Sequence, residues 1–140
     1  MPPSREPGMS TVLDASAVLA WFFDEPGADR VNQALVRGAV IHTVNWAEVL
    51  SKLAERGLDP ETVEVDLSDR GVLGQTLTVD AGQPEDARTV AALRPLTRGA
   101  GLSLGDRFCL ALGTRLGWPV LTADRAWATL DLAVPVELIR

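Results

Sequence analysis

Four acidic residues stand where a short apolar run gives way to helical sequence: Asp14, Glu48, Asp106 and Asp124. Carboxylates gathered in one pocket repel one another and raise each other's pKa unless a cation offsets them. A hard divalent ion with oxygen ligands, Mg²⁺ or Mn²⁺, meets that need. Such a centre assists attack of water on a phosphoester by stabilising the attacking and leaving oxygens. Each acid taken alone could equally be a helix cap, because acids near helix N-termini accept backbone N–H groups and meet the favourable end of the dipole. The runs Asn45-Trp46-Ala47-Glu48 and Ser103-Leu104-Gly105-Asp106 both have capping-box spacing.

Only a particular set of elements brings these four together. The expected strands are 10–14, 40–44, 76–79, 120–122 and 134–139, from β-branched and apolar runs bounded by breakers. The expected helices are 15–23, 28–37, 45–56, 60–73, 84–98 and 104–116, with a short one over 125–129. Leu104, Phe108, Leu112 and Leu116 recur at steps of four and mark the most regular amphipathic stripe. Gly117 and Pro119 stop that helix, while Pro95 either ends or kinks the one before it. Strands alternating with helices predict an α/β domain, a mostly parallel sheet of about five strands covered on both faces.

In a parallel sheet every strand-to-helix turn lies at the C-terminal edge, so Asp14, Glu48 and Asp124 share one rim. Asp106 arrives differently. Its helix leads into the strand at 120–122, so it ends at the opposite edge, and at 1.5 Å per residue it spans about 20 Å. Its first turn is therefore back at the rim.

The chain has 140 residues, enough for one domain over 10–140 behind a disordered leader at 1–9, with Met9 offering an alternative start of translation. Thirteen basic residues against nineteen acidic ones give a net charge of −6, which lacks the basic footprint of a phosphate binder unless cations neutralise a pocket. Only one of the thirteen, Lys52, is a lysine. No apolar run reaches the roughly 20 residues of a membrane span, and the single cysteine excludes an internal disulfide, so a cytoplasmic protein is expected.

The segments TVLDASAVLAWFFDE, TVNWAEVLSKL, GLSLGDRFCLALG and PVLTADRAW resemble, in order, the four signature regions of PIN-domain ribonucleases, above all the VapC toxins of bacterial type II toxin–antitoxin systems. The resemblance implies a three-layer α/β/α sandwich and an endoribonuclease that uses Mg²⁺ or Mn²⁺ to activate water, leaving a 5′-phosphate and a 3′-hydroxyl. It implies an RNA substrate, a cognate antitoxin and a homodimer. By position it makes Asp14, Glu48, Asp106 and Asp124 the catalytic acids, with Asp14, Asp106 and Asp124 as metal ligands and Glu48 placing or deprotonating the attacking water. Ser16 and Thr122 match hydroxyl positions that support the site. Asn45 is expected to cap its helix at the pocket's border.

Other residues invite a chemical reading and have a simpler one. His42, the only histidine, is expected to be structural, Cys109 a buried inert thiol, and Trp21, Trp46, Trp118 and Trp127 core rather than base-stacking platforms. Arg107 and Arg125 each follow a site acid and would either touch phosphate or lie solvated on the surface. The rival to a nuclease is a non-catalytic Mg²⁺-binding interaction or signalling domain, which wants a supported Asp on the middle strand and a Lys near the last one. Asp80 shows no such support in the sequence and Lys52 lies in an early helix. A nucleotide-binding loop is absent.

Overall fold

In the computed structural model, which describes residues 10–140, the chain runs β1 (Thr11–Leu13), α1 (Ala15–Phe22), α2 (Ala28–Arg37), β2 (Ala39–His42), α3 (Thr43–Glu55), α4 (Pro60–Asp69), β3 (Leu77–Asp80), α5 (Pro84–Thr97), α6 (Leu104–Leu116), β4 (Val120–Thr122) and β5 (Val136–Leu138). The leader expected over 1–9 and the alternative start at Met9 lie outside the described residues. Short 3₁₀ turns occupy Arg98–Ala100 and Arg125–Thr129. The five strands pair in parallel in the order β3-β2-β1-β4-β5.

Period-2 alternation in these short strands divides the core in two. Leu13, Ile41 and Leu121 point to the layer of α1–α4, where they meet Ala17, Val31, Val49 and Leu53. Val12, Val40 and Val120 point the other way, to Leu110, Leu112 and Trp127. Both faces are covered, which is why the strands read as continuous apolar runs. Fully burying one Leu or Ile contributes about 1.5–3 kcal/mol, so the central strands are held mainly by the layers above and below. The result is the expected three-layer α/β/α sandwich.

The sheet order has a consequence for the site. The chain builds outward from β1 through β2 to β3, then returns to add β4 and β5 on β1's other side. The reversal falls between β1 and β4, and the crevice outside the strand ends at such a point is where open parallel sheets bind ligands.

Four boundaries differ from expectation. β2 ends at His42, and α3 begins at Thr43 rather than Asn45. His42 Nδ1 accepts the Val44 N–H at 3.1 Å and is itself the helix cap, so two β-branched residues that read as strand form the first helical turn. Local propensity is a weak prior against a satisfied cap. α4 stops at Asp69 and the chain then turns, whereas the expected helix ran to 73. Pro95 does not end α5, which continues to Thr97. The last strand is trimmed to Val136–Leu138.

Candidate active site

Asp14 caps α1, its Oδ1 accepting the Ala17 N–H at 2.8 Å. The helix begins there because the carboxylate satisfies a backbone donor that no helical turn can reach. The side chain is almost fully buried, and further donors converge on it. Thr122 Oγ1 donates to Oδ2 at 2.6 Å, and Ser16 Oγ lies 2.8 and 2.9 Å from the two carboxylate oxygens. The hydroxyls are tied in turn to the β4 rim, since the Ala123 N–H donates to Ser16 Oγ and the Asp124 N–H to Thr122 Oγ1. Strand pairing makes this possible by setting Leu13 beside Leu121. Ser16 and Thr122 thus both bond the Asp14 carboxylate.

The opposite wall forms where α3 meets α6. Asn45 Nδ2 donates to the Gly105 carbonyl at 2.9 Å and to Glu48 Oε1 at 3.2 Å. Asn45 therefore does not cap α3 but joins the first turns of two helices. Because α3 starts earlier than expected, Glu48 falls in its second turn and is not part of a capping box. Its carboxylate rests on the bare Cα of Gly105, where a Cβ would overlap Glu48 Oε1. Asp106 does complete a capping box, with Oδ2 accepting the Ser103 N–H at 2.9 Å while Ser103 Oγ accepts the Asp106 N–H at 3.1 Å.

The Asp106 charge acts on both Asp14 and Glu48. Burial lifts Asp14 from the ordinary 3.8 to about 6, against the pull of its hydrogen bonds from Thr122, Ala17 and Ser16, and the Asp106 charge adds to the rise. Glu48 is also raised, first by desolvation and then by Asp106, with Asn45 and Lys52 opposing. The buried Cys109 thiol is pushed well up by burial and by the same three carboxylates, which confirms the inert thiol expected. An all-oxygen donor set in which Asp14 and Glu48 are raised, with no ion-pair partner for any of the three among the described residues, fits a hard divalent cation. It does not fit a closed cage. Among the described residues no three Asp, Glu, His or Cys side chains stand close enough to enclose an ion, which leaves an ion held by one or two carboxylates and water, the usual arrangement for Mg²⁺.

Asp124 stands apart. It is exposed, its Oδ1 caps the 3₁₀ turn through the Ala126 N–H at 3.0 Å, and only its backbone reaches the hydroxyl cluster. Arg107 is neither surface nor phosphate contact: it is buried, with Nη1 donating to the Val90 carbonyl at 3.0 Å. Arg125 is exposed. Trp46 and Trp127 are buried core residues, so neither can stack a base, and Trp46 Nε1 donates to Glu64 at 2.8 Å.

Two features escaped the sequence. His42 has a partner after all, Asp86 at 3.1 Å, and Arg115 clamps that same Asp86 at 2.8 Å together with Asp80 at 2.7 Å. Burial works against ionised Asp86, yet Arg115, the Gln83 N–H and His42 hold its carboxyl below the usual range. Asp80, read as unsupported, is likewise lowered, chiefly by Arg115. Residues 29 to 44 positions apart in sequence carry no periodic signal of such a cluster. Gly105 was the second, and an odd glycine inside a capping box was the available hint.

The PIN-domain family pattern matches residues 11–132 of this chain. A ribonuclease VapC of Mycolicibacterium smegmatis is 32% identical over 87% of this chain and 97% of its own length. Ribonuclease VapC30 of Mycobacterium tuberculosis is 31% identical over 87% of this chain and 95% of its own. Among solved structures, a toxin–antitoxin complex from Klebsiella pneumoniae superposes with a TM-score of 0.68 at 18% identity, covering 94% of this chain and 98% of that one. A DNA-bound VapBC from Salmonella typhimurium gives 0.68 at 17%, covering 94% and 99%. At those identities the likeness is one of fold.

Proposed function

The chain belongs to the PIN-domain family, and from that footing we propose that it is a Mg²⁺- or Mn²⁺-dependent endoribonuclease, the toxin of a toxin–antitoxin pair. The observation that carries this reading is Asp14: a buried carboxylate at the sheet's switch point, wired by Thr122 and Ser16, with the Asp106 charge acting on it and no ion-pair partner among the described residues. When bound, the ion would supply Lewis acidity toward a phosphate oxygen and a lowered pKa for water.

The chain's own residues have separate tasks in this proposal. Asp14 and Asp106 hold the ion, Asp14 immobilised by its hydroxyl donors and Asp106 by its capping box. Asp124 would reach the ion only through water. Glu48, kept in place by Asn45 and by the space over Gly105, positions or deprotonates the attacking water. The water oxygen bonds to phosphorus, the P–O3′ bond breaks, and the products are a 5′-phosphate and a 3′-hydroxyl. Ser16, Thr122 and Asn45 position these acids. A cognate antitoxin, a homodimer and a cytoplasmic setting belong to the same reading. Among the described residues no helix is long and apolar enough to cross a membrane.

The test is cleavage of single-stranded RNA by the purified chain with Mg²⁺ or Mn²⁺ and with EDTA, alongside Asp14→Asn and Glu48→Gln. Metal-dependent cleavage that both substitutions abolish is expected. Cleavage that persists in EDTA or in Asp14→Asn would defeat the site assignment. Mg²⁺ binding without any cleavage would favour a non-catalytic domain.

A further inference from the structure

Glu48, Lys52 and Arg56 follow one another along α3 at steps of four, so they share one face of the helix, each about 6 Å beyond the last. Lys52, the only lysine of the chain, is exposed and makes no ion pair among the described residues. Lys52 and Arg56 line a cavity of about 360 Å³ whose lining also includes Ser16, the hydroxyl that binds Asp14. The cavity therefore shares one wall residue, Ser16, with the Asp14 site.

Its other charges are mostly committed. Arg140 donates to the Pro26 carbonyl at 2.9 Å and pairs with Glu25 at 3.6 Å, which leaves Glu55 as the one other acid of the lining, while the Lys52 charge also acts on Glu48 outside it. The Arg56 guanidinium lies 4.2 Å from the centre of the Phe23 ring, which holds it against the cavity wall with donors free at its edge. A cation-lined recess beside an acidic centre, on a chain of net charge −6, runs against the trend of the whole surface. A polyanionic strand drawn toward Asp14, Glu48 and Asp106 is repelled by them, and cations one and two helical turns away offset that repulsion.

We propose that this cavity holds a backbone phosphate of the RNA strand flanking the scissile bond, with the Lys52 ammonium and Arg56 guanidinium as its ligands. The proposal rests on the ribonuclease reading above and adds a place where the strand is gripped. An acidic peptide of a protein partner is the competing occupant. The strand is preferred because Ser16 both lines the cavity and bonds Asp14, and because Lys52 stands one helical turn from Glu48.

The experiment measures binding of a labelled mixed-sequence single-stranded RNA to the full chain by fluorescence anisotropy over a range of salt, in EDTA, with cleavage measured in parallel in Mg²⁺. The proteins are wild type, Lys52→Ala/Arg56→Ala and Lys52→Arg. The double variant should bind roughly ten-fold more weakly at low salt. Its slope of log K against log salt should shrink by about 0.7, the value for one neutralised phosphate of a single strand. Lys52→Arg should keep both. Circular dichroism should show all three folded, since both side chains are exposed.

An unchanged affinity and slope in the double variant, with wild type still binding and cleaving, would overturn this proposal alone. The same holds if the double variant loses antitoxin binding but keeps its RNA slope. A wild type that neither binds nor cleaves RNA would instead defeat the ribonuclease reading, and this inference with it.

Discussion

Replacing Asp14 with Asn should stabilise the metal-free protein at neutral pH while removing its proposed activity. The carboxyl is almost fully buried, and its pKa is raised from 3.8 to about 6 chiefly by desolvation. Between those values the native state binds more protons than the unfolded state, so stability falls as pH rises through that window. Below about pH 4 both states are protonated and no penalty applies. Above about pH 6 the penalty is complete, and a shift of about 2 units corresponds to about 3 kcal/mol. An amide avoids this cost but loses charge-assisted bonds from Thr122 and Ser16, whose hydroxyls must rotate to accept from it. The expected net gain is about 1–3 kcal/mol at about pH 7.

The assay is urea denaturation followed by tryptophan fluorescence, for which the buried Trp46 and Trp127 are suitable reporters. It is run in EDTA at about pH 7 and about pH 4, then repeated with Mg²⁺. The Asn variant should lead at the higher pH and lose its lead at the lower one, and Mg²⁺ should stabilise wild type only. An Asn variant that is less stable at both pH values, or whose advantage does not depend on pH, would refute the claim that Asp14 is held at an electrostatic cost awaiting a cation.

Gly105→Ala should reduce cleavage at least ten-fold with little loss of stability, because the new Cβ displaces the mobile Glu48 carboxylate while alanine favours the helix by up to about 1 kcal/mol; kcat and the thermal midpoint together check this. Thr122→Val should destabilise by about 1–3 kcal/mol in chemical denaturation, removing both the 2.6 Å donor to Asp14 and the acceptor for the Asp124 N–H. It should also move the acid limb of the cleavage pH profile upward, since the Thr122 bond is the strongest influence holding the Asp14 pKa down. Arg115→Met should cost about 3–5 kcal/mol by taking the shared guanidinium from Asp86 and Asp80. Both carboxyls are held below the usual range in the wild type, so their contribution is present above about pH 4 and lost as pH falls through their lower native values. An acid titration followed by circular dichroism should find the variant unfolding at higher pH than wild type.

The sequence by itself determined the class of fold, because apolar runs and amphipathic spacing are local properties that report which faces must be buried. It also determined that Asp14 and Asp124 follow strands at the same rim and that Asp106 opens a long helix, since each follows from strand or helix polarity. The start of α3 was not legible. Whether Thr43 and Val44 extend a strand or open a helix depends on His42 offering a ring nitrogen to the Val44 N–H, and the ring is itself placed by Asp86 from another layer. That shift of two residues turned Asn45 from a cap into the bridge between α3 and α6, and Glu48 from a capping residue into one that rests on Gly105. Only the tertiary structure showed that Asp124 is exposed and caps its own 3₁₀ turn, while Asp14 is buried. Polarity along the chain decides which rim a carboxylate reaches; what it faces there is decided by desolvation and hydrogen bonds from residues far away in sequence, which no local pattern encodes.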